Sequence, residues 1–131
     1  MSIAENLKNL KLQISINCQK AGREADSCTL IAVSKTKPLE QITEAISAGQ
    51  KHFGENYVQE ALQKISNFSK LESPPIWHFI GHLQSNKAHQ VVGAFHLIHS
   101  VDRISLAKVL NQEAKKKNIV QSILLQINVG D

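Results

Sequence analysis

Short β-rich runs alternate with amphipathic helical segments along the whole chain. The predicted strands contain β-branched and aromatic residues bounded by polar or turn-forming ones, and they span 29–33, 52–56, 76–81, 97–101 and 122–129. Helical spacing of apolar residues predicts helices at 2–21, 38–48, 58–68, 85–92 and 104–114. Alternation of this kind predicts an α/β fold in which helices pack on a parallel sheet.

Two α/β architectures fit this pattern. One is a five-stranded doubly wound sheet, and the other is a partial (β/α)8 TIM-like barrel of about five βα units preceded by an N-terminal helix. Neither G-x-G-x-x-G nor a Walker motif occurs, so a nucleotide-binding doubly wound fold is less attractive. No linker, repeat or low-complexity segment divides the chain, and we expect residues 1–131 to form one α/β domain.

Several helix ends carry local signals. Ser2 and Glu5 have the spacing of a capping box at the start of the first helix. Gly22 and Gly49 are expected to end the first and second helices. Asp102 is expected to cap the helix that begins near residue 104.

Charge and composition argue against nucleic acid as a partner. The net charge is +4 and the pI is near 9.2, but the lysines are dispersed and aromatic residues are few. The compact run at 115–117 lies at the end of a predicted helix, where cations complement the helix dipole.

Cysteine usage and hydropathy point to the cytoplasm. The spacing of Cys18 and Cys28 matches no metal or redox motif, which favours reduced thiols. No apolar run approaches the roughly 20 residues of a membrane span, and the N-terminus lacks a signal-peptide core. We expect a soluble cytoplasmic protein without a membrane partner.

The stretch T-L-I-A-V-S-K-T-K-P at 29–38 delivers a lysine at the end of a strand. Strand alternation places Lys35 on the apolar face of Ile31 and Val33. A buried lysine beside a second cation, here Lys37, favours the neutral, nucleophilic amine that forms Schiff bases. The alternative is a lysine whose stem packs while its ammonium reaches solvent.

Six histidines raise the question of a metal site. His78 and His82 are four residues apart, a spacing that aligns ligands only on a helix. The surrounding W-H-F-I-G reads as a strand that enters a loop. We therefore expect no metal site, and we interpret His78 as a polar interior or strand-end residue.

Polar groups also follow the second and third strands. Glu55 and Asn56 end the second strand, and Gly81 ends the third. The carboxyl ends of parallel strands are where such folds collect ligand groups. The alternative for Glu55 and Asn56 is capping of the helix that begins at Val58.

Three motifs together carry a family resemblance: A-V-S-K-T-K-P at 32–38, F-G-E-N-Y-V-Q-E at 53–60 and W-H-F-I-G-H-L-Q-S-N-K at 77–87. They closely resemble the pyridoxal phosphate homeostasis protein family, whose members are built like the N-terminal barrel domain of alanine racemase. V-D-R at 101–103 and L-L-Q-I-N at 124–128 continue the resemblance, which covers the chain from about residue 2 to 131.

The resemblance implies a (β/α)8 barrel that holds pyridoxal 5′-phosphate as a Schiff base on Lys35. Asn56 matches the family's side-chain neighbour of the cofactor. We add Lys37, as a cation near the phosphate, and His78 to the expected cofactor-binding residues. The implied function is intracellular balance of pyridoxal phosphate and amino acids, with no established reaction.

The alternative function is a pyridoxal phosphate-dependent amino-acid racemase or a related enzyme. Such a catalyst needs a second acid or base, and no catalytic pair is identifiable in the sequence. A third class, a purely structural or interaction domain, would form no Schiff base. We expect a carrier or regulator rather than an enzyme.

The chain departs from its family in one respect, because it stops after the fifth predicted strand. The loops after strands 7 and 8, which usually hold phosphate in such barrels, are missing from it. Five of eight strands also leave two sheet edges unpaired. We therefore expect weaker cofactor binding and self-association of this chain.

Overall fold

Five strands and five helices alternate in a computed structural model that describes residues 1–130. The strands are β1 (Ala32–Val33), β2 (His52–Glu55), β3 (Ile76–Phe79), β4 (Leu97–Val101) and β5 (Ser122–Leu125). The helices are α1 (Ile3–Lys20), α2 (Leu39–Ser47), α3 (Val58–Phe68), α4 (Ala88–Val91) and α5 (Ile104–Lys116), with a 3-10 turn at Ser85–Lys87.

The order of the strands distinguishes the two predicted architectures. The sheet runs β1-β2-β3-β4-β5, and every neighbouring pair is parallel. A doubly wound sheet reverses its order at a switch point, whereas a barrel adds each new strand on the same side. Right-handed crossovers in one direction place the helices on one face of the sheet. The predicted partial barrel is confirmed.

The hydrophobic core lies between the sheet and the helices. Phe53 and Trp77 are paired in register, and their ring centroids are 5.6 Å apart. Phe79 and Ile98 form the next pair, and both are fully buried. Burial of such a side chain contributes about 1.5–3 kcal/mol relative to exposure, so this layer fixes the sheet against the helices.

Most predicted helix ends are confirmed. Ser2 and Glu5 form both hydrogen bonds of the capping box, and Gly22 and Gly49 adopt φ of 73° and 89°. The predicted cap at Asp102 is wrong, because α5 has Arg103 at its N-cap without a side-chain bond. The Asp102 carboxylate instead accepts a 2.8 Å hydrogen bond from the Arg103 guanidinium, which lowers the pKa of Asp102.

Four strands are shorter than predicted: β2 and β3 lose one or two residues at their ends, and β1 and β5 lose more. In β1 only Ala32 and Val33 pair with β2, so the predicted strand at 29–33 is reduced to its end. β5 stops at Leu125 rather than at residue 129, because its partner β4 ends at Val101. The predicted helix at 85–92 is divided into the 3-10 turn and the short α4.

The sheet face away from the helices is open. Side-chain alternation from the buried Phe53 and Ile98 places Val33 and Leu124 on this opposite face, and both are substantially exposed. A closed barrel buries this face. Among residues 1–130, no helix is long and apolar enough to cross a membrane.

Candidate functional site

The carboxyl ends of β1, β2 and β3 bring three predicted site segments to one edge of the sheet. Lys35 follows β1, Asn56 follows β2 and Gly81 lies just beyond β3. A Cβ atom at Gly81 would lie 2.5 Å from the backbone oxygen of Asn56, so the two loops touch. Only glycine allows this approach, and it fixes Asn56 against the third strand.

Asn56 has an unused hydrogen-bonding group. Within residues 1–130 its buried Oδ1 atom has no hydrogen-bond partner. The alternative role predicted for Glu55 and Asn56 was capping of α3, but α3 has Tyr57 at its N-cap and no side-chain cap bond. That alternative is wrong. A buried amide oxygen without a partner is costly, so Asn56 is suited to a ligand.

A cleft of about 360 Å³ opens beside Asn56. Its polar side chains come from the loops after β2 and β3, from the first turn of α3 and from the 3-10 turn: Asn56, Tyr57, Gln59, His82, Gln84 and Lys87. Its volume lies in the range of small-molecule sites. The cleft therefore places amide, imidazole and ammonium groups at the carboxyl edge of the sheet.

Lys35 is exposed, so the predicted burial on an apolar face is wrong. The strand ends at Val33, and a turn closed by a 3.1 Å hydrogen bond from the Lys37 N–H to the Ser34 carbonyl follows it. Lys35 lies in this turn and not in the strand. Ser34 faces the helices as alternation predicts, since it is buried and its hydroxyl donates to Glu55 Oε1 at 2.6 Å.

The turn also removes Lys37 from the strand alternation. Lys37 lines a cleft of about 310 Å³ on the helical side of the sheet, together with Ile42, Ala45 and Phe53. Its predicted contact with a cofactor phosphate stays a prediction, and it would require the side chain to reach past the turn.

Sequence reasoning missed the buried lysine of this region, which is Lys64 on α3. Its side chain is 6% exposed, and its ammonium donates to Glu55 Oε1 at 2.7 Å and to Glu60 Oε1 at 2.6 Å. A signal was available, because Lys64 lies between Ala61 and Phe68 on the apolar stripe of the helix. A lysine in such a stripe needs a buried partner.

His78 lies in β3 and its side chain is buried, which confirms its predicted interior position. Its Nε2 atom is 2.9 Å from His52 Nδ1, and its Nδ1 atom is 2.9 Å from His99 Nε2. We call His52, His78 and His99 the histidine ladder. Both ring nitrogens of His78 are thus occupied, and within the described chain no group of three side chains is arranged to hold a metal.

Burial shifts the titration of the histidine ladder. It lowers the pKa of His78 to about 4, with a further contribution from the neighbouring His99, His52 and His96. Burial also lowers the pKa values of His52 and His99. The ladder is therefore neutral in the folded protein at pH 7.

We expect the histidine ladder to make the fold sensitive to acid. In the unfolded chain histidine titrates near pKa 6.5, so the neutral ladder stabilises the fold fully above about pH 6.5 and progressively less as the pH falls towards 4. Between pH 7 and pH 5, His78 alone should cost about 2 kcal/mol of unfolding free energy.

Urea unfolding from pH 7 to pH 5 measures this loss. His78→Gln should flatten the pH dependence, whereas His89→Gln, at an exposed position on α4, should leave it unchanged. The same slope in His78→Gln and in the original chain would contradict the assignment.

Comparisons with known proteins agree with the fold of the chain. The sequence model of the family described as "Alanine racemase, N-terminal domain" matches residues 9–131. The chain is 45% identical over 130 residues to the pyridoxal phosphate homeostasis protein of Escherichia coli K12. It is 43% identical over 131 residues to that of Vibrio alginolyticus. Each match covers 98% of this chain and 56% of the relative.

Solved structures of PipY from Synechococcus elongatus PCC7942 share the fold. The structure without PLP aligns with a TM-score of 0.85 and 41% identity, over 99% of this chain and 55% of PipY. The structure with PLP bound aligns with a TM-score of 0.76 and 40% identity, over 88% of this chain and 54% of PipY. The chain thus spans about half the length of the relatives it matches.

Proposed function

Since this chain belongs to the family of the alanine racemase N-terminal domain, we propose that it binds pyridoxal 5′-phosphate as a Schiff base on Lys35. We further propose that it serves pyridoxal phosphate and amino-acid homeostasis inside the cell, as the names of its relatives suggest for them. The observation that carries this proposal is the exposed amine of Lys35 at the same sheet edge as the unpartnered amide oxygen of Asn56.

The residues present fit such a ligand. The bound cofactor supplies an aldehyde, which condenses with a primary amine and releases water. The amine of Lys35 is exposed and can reach an aldehyde, whereas the Lys64 ammonium is buried and bonded to oxygen atoms. The Oδ1 atom of Asn56 would hydrogen-bond to a polar group of the cofactor ring. Lys35 is favoured over Lys37 as the site of attachment, because Lys37 lines the cleft on the helical side of the sheet.

We propose a carrier or regulator rather than a catalyst. A catalyst would need a second acid or base close to Lys35. Tyr57, a candidate for this role, is exposed at the start of α3 and lines the cleft of Asn56. The family description favours racemisation as the second candidate function. Racemisation of alanine or serine at ordinary enzymatic turnover, by a protein that contains this chain and has the full length of its relatives, would support that candidate instead.

The proposed setting is the cytoplasm, with a small molecule as the ligand. Cys18 is buried and Cys28 exposed, and both are free thiols, as is typical of a reducing compartment. Dispersed lysines favour a small anionic ligand over nucleic acid or a membrane surface.

Borohydride trapping tests the attachment site. Incubation with pyridoxal phosphate, reduction and peptide mass mapping should place the label on Lys35. Lys35→Ala should lose essentially all of the label, and Lys37→Ala should keep it, because Lys37 lines the cleft on the helical side of the sheet. A label found on Lys37 alone would overturn the assignment.

A further inference from the structure

Helix α3 holds the backbone on both sides of Lys35. The Ser34 carbonyl, which precedes Lys35, accepts a 2.6 Å hydrogen bond from the Lys64 ammonium. The Thr36 N–H, which follows Lys35, donates to the Glu60 carboxylate. Glu60 and Lys64 are themselves paired one helical turn apart, with 2.6 Å between Nζ and Oε1. The Glu60–Lys64 ion pair is therefore hydrogen-bonded to the peptide groups on both sides of Lys35, the proposed attachment site.

We propose that Glu60 and Lys64 are positioning residues that orient Lys35 towards a carbonyl ligand. The inference rests on the proposed attachment at Lys35, and it adds two side chains that neither contact nor react with the ligand themselves. Lys64 cannot substitute for Lys35, because its ammonium is buried and its hydrogen bonds go to Ser34, Glu55 and Glu60.

The turn that carries Lys35 needs such support. Thr36 has a φ of 60°, in the left-handed region that a β-branched residue rarely adopts. Residues of this kind persist only where the surrounding structure holds them, and they cluster at functional sites. Without the Glu60 acceptor the Thr36 peptide can relax to an ordinary conformation, and the direction of Lys35 changes with it.

The ion pair is also anchored to the neighbouring strand. Glu55, at the end of β2, is fully buried and accepts hydrogen bonds from both Ser34 and Lys64. Asn56 is the next residue in the chain. The same network therefore fixes Lys35 relative to Asn56, which are the two side chains proposed to contact the ligand.

Glu60→Ala removes the acceptor at a partly exposed position. We expect its affinity for pyridoxal phosphate, measured as borohydride-trapped label on Lys35 against concentration, to fall about tenfold, as for loss of a hydrogen bond to a charged group. Glu60→Gln keeps an acceptor oxygen and should stay within about threefold of the original chain. Glu113→Ala, which breaks a comparable pair with Lys116 on α5, should change nothing.

A second measurement needs no ligand. Amide hydrogen exchange at Thr36 should accelerate in Glu60→Ala and stay unchanged in Glu113→Ala. Thr36→Asn in the Glu60→Ala background should recover most of the lost affinity, because asparagine tolerates the left-handed conformation. A purely structural role for Glu60 predicts no such rescue. Glu60 is partly exposed, so Glu60→Ala is expected to fold like the original chain.

The outcomes separate the two proposals. Absence of label on Lys35 in the original chain would overturn the proposed function, whatever the Glu60 variants do. Label on Lys35 in the original chain, with equal affinity and equal Thr36 exchange in Glu60→Ala, would overturn the positioning role and leave the proposed function standing.

Discussion

Replacement of Lys64 by methionine is expected to lower the free energy of unfolding by about 3–5 kcal/mol, because it leaves a buried carboxylate without its counter-ion. Glu55 is completely buried, and its Oε1 atom accepts from Lys64 at 2.7 Å. Within residues 1–130 its Oε2 atom has no hydrogen-bond partner. The methionine side chain fills a similar volume, so the loss reports mainly the uncompensated charge.

Urea unfolding at pH 7 measures this effect. The double variant Glu55→Gln/Lys64→Met should be more stable than Lys64→Met alone, because a neutral amide costs less to bury than an unpaired carboxylate. Lys116→Met is the control, since it breaks an exposed pair with Glu113 and should cost less than about 1 kcal/mol. A Lys64→Met variant within 1 kcal/mol of the original chain would contradict the account of the buried pair.

Local sequence signals predicted the elements because they act over a few residues. Apolar spacing located all five helices, and Ser2 with Glu5 and the left-handed glycines set their ends. Polar residues between short apolar runs located the five strands. The sheet order needed the structure, because a doubly wound sheet and a barrel share one pattern of alternation.

The candidate site was only partly predictable. The position of Lys35 and Asn56 at adjacent strand ends follows from the motifs, but the exposure of Lys35 depends on the turn at Thr36. The histidine ladder joins three strands, so no local pattern could reveal it. The predicted cap at Asp102 failed for a different reason, because its carboxylate pairs with the adjacent Arg103 instead of the start of the helix.

The open sheet leads to the second large prediction, which is self-association of the 131-residue chain. In the described part of the chain, β1 and β5 lie at the two ends of the sheet order. Apolar side chains near these edges are exposed: Val33, Leu124, Leu125, Ile127 and Val129. Edges of this kind pair with other chains unless they are covered or charged. Sedimentation should therefore find dimers or larger species at micromolar concentration.

A charge at the edge should oppose this association. Leu125 is 70% exposed on β5, and Leu125→Lys places a cation where another strand would pair. Leu12→Lys is the matched control, because Leu12 is 58% exposed on α1, away from the sheet edge. We expect Leu125→Lys to be mainly monomeric and Leu12→Lys to associate like the original chain.

Fusion of this chain to the part of the Escherichia coli relative that lies beyond the matched region should both close the sheet and complete the ligand site. We expect a monomer that binds pyridoxal phosphate at least about tenfold more tightly, because barrels commonly hold phosphate in the loops after strands 7 and 8. A fusion to an unrelated soluble segment of the same length controls for size. Equally tight binding by the 131-residue chain, monomeric in sedimentation, would show that Lys35, Asn56 and their surroundings suffice on their own.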